Sequence, residues 1–254
     1  MLLCIDIGNT NLVLGLWNKN QWLAKWRLRT ASERMPDEYA LLLKALLQDK
    51  GYNFKNVTHV VIASVVPQLK TVFHDLFKQY LGVVPLILGP GVRTGLRIRI
   101  DNPAELGADL VAGAVAAYDR LHATCIIVDF GTATTFSAVS GDGEFLGVSI
   151  APGIEMAAEA LASRTAQLPH IGLAPPPKAI GTNTTHSMQS GLIFGYIGLV
   201  EGLIHRIRTE LEGEAEVIAT GGLSKVLAPL TSAITYIDTE LTLEGLRLIS
   251  ERNL

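Results

Sequence analysis

Ile5-Asp6-Ile7-Gly8-Asn9-Thr10-Asn11 returns, altered, as Val128-Asp129-Phe130-Gly131-Thr132-Ala133-Thr134. Each copy follows an apolar run, Leu2-Leu3-Cys4 in the first and Cys125-Ile126-Ile127 in the second. Each also precedes further apolar residues, so each unit reads as strand, tight turn, strand, with an Asp closing the first strand. The copies lie about half a chain apart, which predicts an α/β fold made of a duplicated domain, with one carboxylate from each half facing a shared cleft.

The turn chemistry suggests what such a cleft holds. Glycine lets a ligand approach the backbone, and Thr and Asn add neutral donors beside backbone N–H groups, which suits phosphate oxygens. A carboxylate aimed at phosphates needs a cation between them, usually Mg²⁺ that keeps some of its waters. One such turn alone reads more readily as a hairpin whose Asp and Asn shape the backbone. Two copies, each after a buried-strand pattern, reverse that preference.

The composition bounds the rest. The 254 residues allow one large domain or two lobes, and 48% hydrophobic with 18% charged residues builds a substantial core. A net charge of -3 argues against a nucleic-acid surface. Cys4 and Cys125 both fall in apolar strand patterns and read as reduced thiols of a cytoplasmic protein. Asp6 interrupts the first apolar run too early for a signal peptide, and the uncharged stretch at 191–200 is too short to span a bilayer.

Along the chain, periodicity predicts strands at 21–29, 59–66 and 84–88, and helices at 37–50 and from Pro67. Residues 90–102 read as loop, followed by a helix over 104–121. Strands follow at 124–129, 134–139, 144–150 and 216–220. Helices are expected from Gly153 to about residue 166, over 184–211 and over 241–252, with an extended loop at 167–183 around Pro175-Pro176-Pro177.

No P-loop, dinucleotide fingerprint or nucleophile elbow occurs. A third carboxylate stands out in Asp101-Asn102-Pro103-Ala104-Glu105-Leu106-Gly107-Ala108-Asp109, where small neighbours leave room for a substrate beside Asp109. A carboxylate there can accept a hydroxyl proton during phosphoryl transfer, or Glu105 and Asp109 can simply complement a helix N-terminus. Gly221-Gly222 reads equally as a passage under an adenine or ribose and as a tight turn with positive φ. Thr182-Asn183-Thr184 reads first as an N-cap cluster, and second as a ligand grip at a helix start. The six histidines show no metal spacing.

Together, Asp6-Ile7-Gly8-Asn9-Thr10, Asp101-Asn102-Pro103, Gly107-Ala108-Asp109, Asp129-Phe130-Gly131-Thr132-Ala133-Thr134, Ala151-Pro152-Gly153, Gly181-Thr182-Asn183-Thr184 and Met188-Gln189-Ser190-Gly191 resemble the type III pantothenate kinases. The resemblance spans nearly the whole chain in the family's order. It implies two ribonuclease-H-like lobes of the acetate and sugar kinase, heat-shock ATPase and actin superfamily, with residues 1–115 carrying the phosphate-binding turn and 116–254 carrying the cation site and a dimer helix. It further implies ATP-dependent phosphorylation of pantothenate to 4′-phosphopantothenate, the first step of coenzyme A biosynthesis, by a homodimer using Mg²⁺ and a monovalent cation, K⁺ or NH₄⁺.

By the resemblance, Asp6, Ile7, Gly8, Asn9, Thr10, Asn11, Leu12 and Val13 form the ATP-binding segment, with Asp6 reaching Mg²⁺ through water and Thr132 touching ATP. Asp109 is the catalytic base, Asp129 holds the monovalent cation, and Gly107, Ala108, Asp109, Leu110 and Thr184 contact pantothenate. Thr184 does so from the neighbouring protomer. Two positions depart from the family pattern. Leu110 stands where Arg is common and Ile100 where an aromatic residue is frequent, so the substrate carboxylate loses a guanidinium partner that Arg97, Arg99 or Arg164 could replace. Two other functions stay open: a kinase of another small hydroxylated acid, and a non-catalytic kinase-like transcriptional regulator. The retained Asp6, Asp109 and Asp129 argue against the second.

Overall fold

The computed structural model describes residues 1–211 and 214–254. The chain forms two compact units, Met1–Leu96 with Asp101–Ala116 and Leu241–Leu254, and Arg97–Ile100 with Ala117–Glu240. Residues 241–254 thus return to the first unit.

The first unit is built on strands β1 (Leu2–Ile7), β2 (Asn11–Asn18) and β3 (Gln21–Arg29), helix α1 (Pro36–Asp49), β4 (His59–Ser64), α2 (Pro67–Leu81) and β5 (Leu86–Ile87). The sheet order is β3-β2-β1-β4-β5. The first three strands are antiparallel meanders, and β4 and β5 join in parallel. Alternation along β1 decides which helices go where. Leu3, Ile5 and Ile7 point to a core closed by Tyr39 and Leu43 of α1 and by Phe73 and Phe77 of α2. Leu2 and Cys4 point to the other face, covered by helix α3 (Ala108–Leu121) through Ala108, Ala112 and Val115, and by the C-terminal helix through Leu246 and Ile249. Gly245 lets that last helix touch α3, since a Cβ there would lie 1.8 Å from the Ala112 carbonyl oxygen.

The second unit repeats the plan. It contains β6 (Arg97–Ile98), β7 (Cys125–Phe130), β8 (Ala133–Val139), β9 (Glu144–Pro152), α4 (Ile154–Arg164), α5 (Thr184–Glu210), β10 (Glu216–Thr220), α6 (Ser224–Leu227) and β11 (Tyr236–Ile237). Helix α7 (Leu241–Asn253) then closes the first unit. The second sheet runs β11-β10-β7-β8-β9-β6. Its β9-β8-β7-β10-β11 portion has the order and strand senses of the first sheet, so the repeated turn marks a repeated fold.

Two expectations needed revision. Residues 90–102 are not all loop: β6 pairs in parallel with β9, with Arg97 N–H donating to Gly143 O at 3.0 Å and Arg99 N–H to Phe145 O at 2.9 Å. The alternation Leu96-Arg97-Ile98-Arg99-Ile100 was the signal. The helix after it does not begin at residue 104. A 3₁₀ turn at Pro103–Glu105 is capped by Asn102, whose Oδ1 accepts from Ala104 N–H at 3.2 Å, and extended Leu106 breaks the chain before α3. Only Asp109 therefore sits in the first turn of α3. The apolar face of α5 packs into the core: Leu192, Ile193, Tyr196, Val200 and Ile204 are all buried. By length and composition alone α5 could cross a membrane, but Ile193, Tyr196, Val200 and Ile204 pack in the cluster beneath the second sheet.

Candidate active site

In the first unit, Asp6 is the penultimate residue of β1, opposite Ala63 of β4 and Val13 of β2. The turn after it is pinned by its own backbone. Gly8 N–H donates to Asn11 O at 2.9 Å, Thr30 Oγ1 donates to Gly8 O at 2.7 Å, and Val65 N–H to Ile7 O at 3.1 Å. Ile7 and Leu12 are anchored in the core, whereas Asn9, Thr10 and Asn11 are exposed. The segment thus presents polar side chains and backbone on a rigid base.

The start of α3 lies on the face of the sheet that carries Asp6. Leu2, Cys4 and Asp6 share that face by alternation, and Cys4, Ala63 and Ala108 belong to one buried cluster. Two carboxylates, Asp6 and Asp109, therefore come from elements packed at the same end of the first sheet. Gly107 makes the approach possible: a Cβ there would lie 2.5 Å from Asp109 Oδ1 and 3.5 Å from Leu110 Cγ. Asp109 Oδ1 accepts the Leu110 N–H at 2.9 Å. Burial nevertheless pushes the Asp109 carboxyl above its usual range, outweighing that backbone N–H. A helix N-terminus acting alone would lower it, so desolvation is the stronger influence here. A carboxylate so perturbed is a candidate proton acceptor.

In the second unit, Asp129 is the penultimate residue of β7, and two glycines press against the turn that follows. At Gly221, with φ +90°, a Cβ would lie 2.3 Å from Asp129 Oδ1. At Gly153 it would lie 2.2 Å from the Thr132 carbonyl oxygen and 2.8 Å from that of Gly131. Gly221 is thus a tight turn with positive φ, and Ser224 Oγ donates to its carbonyl at 2.8 Å. The sequence did not link Gly153 or Gly221 to Asp129; Gly153 was legible as the start of a helix, and Gly221 equally as a tight turn and as a passage under an adenine or ribose. A cavity of about 350 Å³ lies next to this turn, lined by Glu155, Ala158, His170, Leu173 and Leu223 among others.

Thr184 is exposed at the first position of α5. Asn183 realises the N-cap reading, its Oδ1 accepting from His186 N–H at 2.9 Å. Arg97 and Arg99 are both engaged with Glu144, at 3.3 and 2.7 Å, and the Arg99 hydrogen bond holds the Glu144 carboxyl below its usual range. The cysteines offer no nucleophile: both are free and buried, and burial pushes the Cys125 thiol up to about 12.

Among the described residues no three His, Cys, Asp or Glu side chains gather as a metal cluster. The donors present still fit hard cations. Asp6 supplies one carboxylate, which suits Mg²⁺ held mainly by substrate phosphates and water. A Cβ on Gly131 would lie 3.6 Å from Asp129 Oδ1, so the Asp129 carboxylate and this turn offer oxygen donors of the kind a monovalent cation takes.

These features define a class before they define a family. The chain is similar in fold to MreB 5 of Spiroplasma citri bound to AMPPNP, at a TM-score of 0.59 and 12% identity over 99% of this chain and 96% of that one. It is similar to a conserved Baf family protein from Campylobacter jejuni at a TM-score of 0.62 and 20% identity, over 99% of this chain and 98% of that one. Two repeated mixed sheets of this kind are the fold of the acetate and sugar kinase, heat-shock ATPase and actin superfamily. The family model for type III pantothenate kinase matches residues 2–206. The type III pantothenate kinase of Myxococcus xanthus is 48% identical over 253 residues, covering 100% of this chain and 99% of that protein. That of Moorella thermoacetica is 47% identical, covering 100% of both. The chain belongs to the type III pantothenate kinase family.

Proposed function

We propose that this protein phosphorylates the 4′-hydroxyl of pantothenate with ATP, using Asp109 as the base. The observation that carries the chemistry is the packing of Asp109 against Gly107, where burial raises its proton affinity. As the substrate oxygen attacks the γ-phosphorus, its O–H bond breaks and the proton passes to Asp109. The new O–P bond forms as the bridging bond to the β-phosphate breaks, leaving ADP and 4′-phosphopantothenate. The Leu110 N–H holds the Asp109 carboxylate in place. Leu110 itself offers its side chain, not a charge, to the substrate alongside Gly107 and Ala108. Thr184 adds a hydroxyl from the neighbouring protomer.

The Asp6 turn, with Gly8, Asn9, Thr10, Asn11 and the backbone of Ile7, Leu12 and Val13, binds the ATP phosphates, and Thr132 touches the nucleotide as well. The cavity beside Leu223 is within the size range of small-molecule sites and supports placing the adenosine there. Asp6 would hold Mg²⁺ through water and Asp129 a monovalent cation, K⁺ or NH₄⁺, and together these ions neutralise phosphate charge when bound.

A homodimer accords with the exposed side of α5. Gly191, Gly195, Gly198 and Gly202 recur there at helical spacing, a Cβ on any of them would meet nothing within 4 Å, and Phe194 is 39% exposed. That bare side, rather than the buried apolar one, is where a second copy would pack. Two free buried thiols accord with the cytoplasm.

The metal assignment separates Asp6 from Asp109. Asp6→Asn should raise the Mg²⁺ concentration needed for half-maximal turnover, and excess Mg²⁺ should restore part of the rate. A Mg²⁺ dependence identical to wild type would remove Asp6 from the metal site.

A further inference from the structure

Among the described residues, Thr135 Oγ1 is the buried side-chain oxygen or nitrogen that lacks a hydrogen-bond partner. A buried hydroxyl without a partner is destabilising, because its water contacts are lost and nothing replaces them. Valine has the same shape, suits a strand equally well and carries no such penalty. The position of the hydroxyl is informative. Thr135 on β8 is the direct antiparallel partner of Asp129 on β7. Directly opposed residues project from the same face of a sheet, with Cβ atoms roughly 4.5–5.5 Å apart. On the other flank, Thr220 of β10 is in register with Asp129 and is buried. The Gly221 backbone closes against Asp129 Oδ1. The carboxylate therefore stands between two threonines on one sheet face, and the hydroxyl of one of them is unsatisfied.

We infer that the Thr135 hydroxyl is a second protein ligand of the cation site at Asp129. The inference rests on the assignment of a monovalent cation to Asp129. The chemistry fits an ion of single charge. One carboxylate already balances it, so the remaining donors should be neutral, hard oxygens. A threonine hydroxyl has two acceptor lone pairs. It can give one to K⁺, or accept an N–H from NH₄⁺. The same oxygen has no role in proton transfer and lies in the second unit, whereas Asp109 lies in the first.

The test uses the full chain and K⁺ itself. Melting temperature is followed against KCl, with tetramethylammonium chloride holding ionic strength constant. Thr135→Val should raise the K⁺ concentration for half-maximal stabilisation about three- to tenfold, the range for losing one contact of hydrogen-bond strength. Without K⁺, the variant should melt at or above wild type, because an unsatisfied hydroxyl has gone. Thr135→Ser, which keeps the oxygen, should retain a near-normal K⁺ response. Asp129→Asn separates the two ideas. If it abolishes the K⁺ response while Thr135→Val matches wild type, Thr135 is not a ligand and the Asp129 site stands. If Asp129→Asn responds to K⁺ as wild type does, the site itself is elsewhere. A Thr135→Val protein that melts lower without K⁺ and keeps its K⁺ affinity would also overturn the proposal, since the hydroxyl would then serve the fold.

Discussion

Asp109→Asn should lower kcat by about 10²–10⁴-fold, the usual contribution of a general base, while leaving the folded protein as stable as wild type or more so. The two effects have one origin. Burial raises the Asp109 pKa in the folded state, so the ionised carboxylate is held there at a cost. A raised pKa contributes stability that is fully present below the unfolded pKa, about 3.9, and is lost as pH rises through the folded value. At neutral pH the wild type therefore carries the cost of a desolvated charge, and Asn does not. The stability advantage of the variant should vanish in acid, where both side chains are neutral. In the active wild type, kcat/KM should fall on the acid side of a pKa higher than that of an ordinary aspartate. If Asp109 merely complemented the dipole of α3, Asn would instead cost up to about 1 kcal/mol and leave turnover near normal. Urea unfolding at neutral and acidic pH, with steady-state rates on the same samples, distinguishes these outcomes.

Gly221→Ala should strongly destabilise the protein. Its Cβ would sit 2.3 Å from Asp129 Oδ1 and 2.7 Å from the Phe130 backbone, at φ +90°. Left-handed backbone costs an L-residue about 1–2 kcal/mol, and overpacking against atoms that cannot retreat adds about 1–3. We expect a loss of about 2–5 kcal/mol and displacement of the Asp129 carboxylate, so the K⁺ response should fall with stability. Gly147 is the control: a Cβ there meets nothing within 4 Å, and Gly147→Ala should stay within about 0.5 kcal/mol of wild type. Equal stability of the two variants would mean that Gly221 does not press on Asp129.

What the sequence revealed follows from how each feature is encoded. The strand–turn–strand units around Asp6 and Asp129 were legible because buried β-strands, glycine turns and terminal carboxylates all leave local marks, and their repetition correctly foretold two sheets of one plan. Gly153 was visible as a helix start and Gly221 as a turn, but their role depends on contacts with Thr132 and Asp129 that only folding creates. The helix at α5 was legible, but its burial against the second sheet is a property of the folded chain. Strand β11 and helix α6, at two and four residues, are too short to leave a period. At Leu110 the sequence showed the missing guanidinium, whereas the use of its N–H by Asp109 is a property of the first turn of α3.

The most direct measurement follows the ³¹P spectrum of a reaction containing the wild-type chain, Mg²⁺, K⁺, ATP and pantothenate. A phosphomonoester resonance should grow in step with ADP, depend on pantothenate and be lost with Asp109→Asn. Parallel samples replace pantothenate with other small hydroxylated acids. Transfer to one of those acids with pantothenate left unreacted would contradict the assigned substrate, and ATP left intact in every sample would contradict the kinase itself.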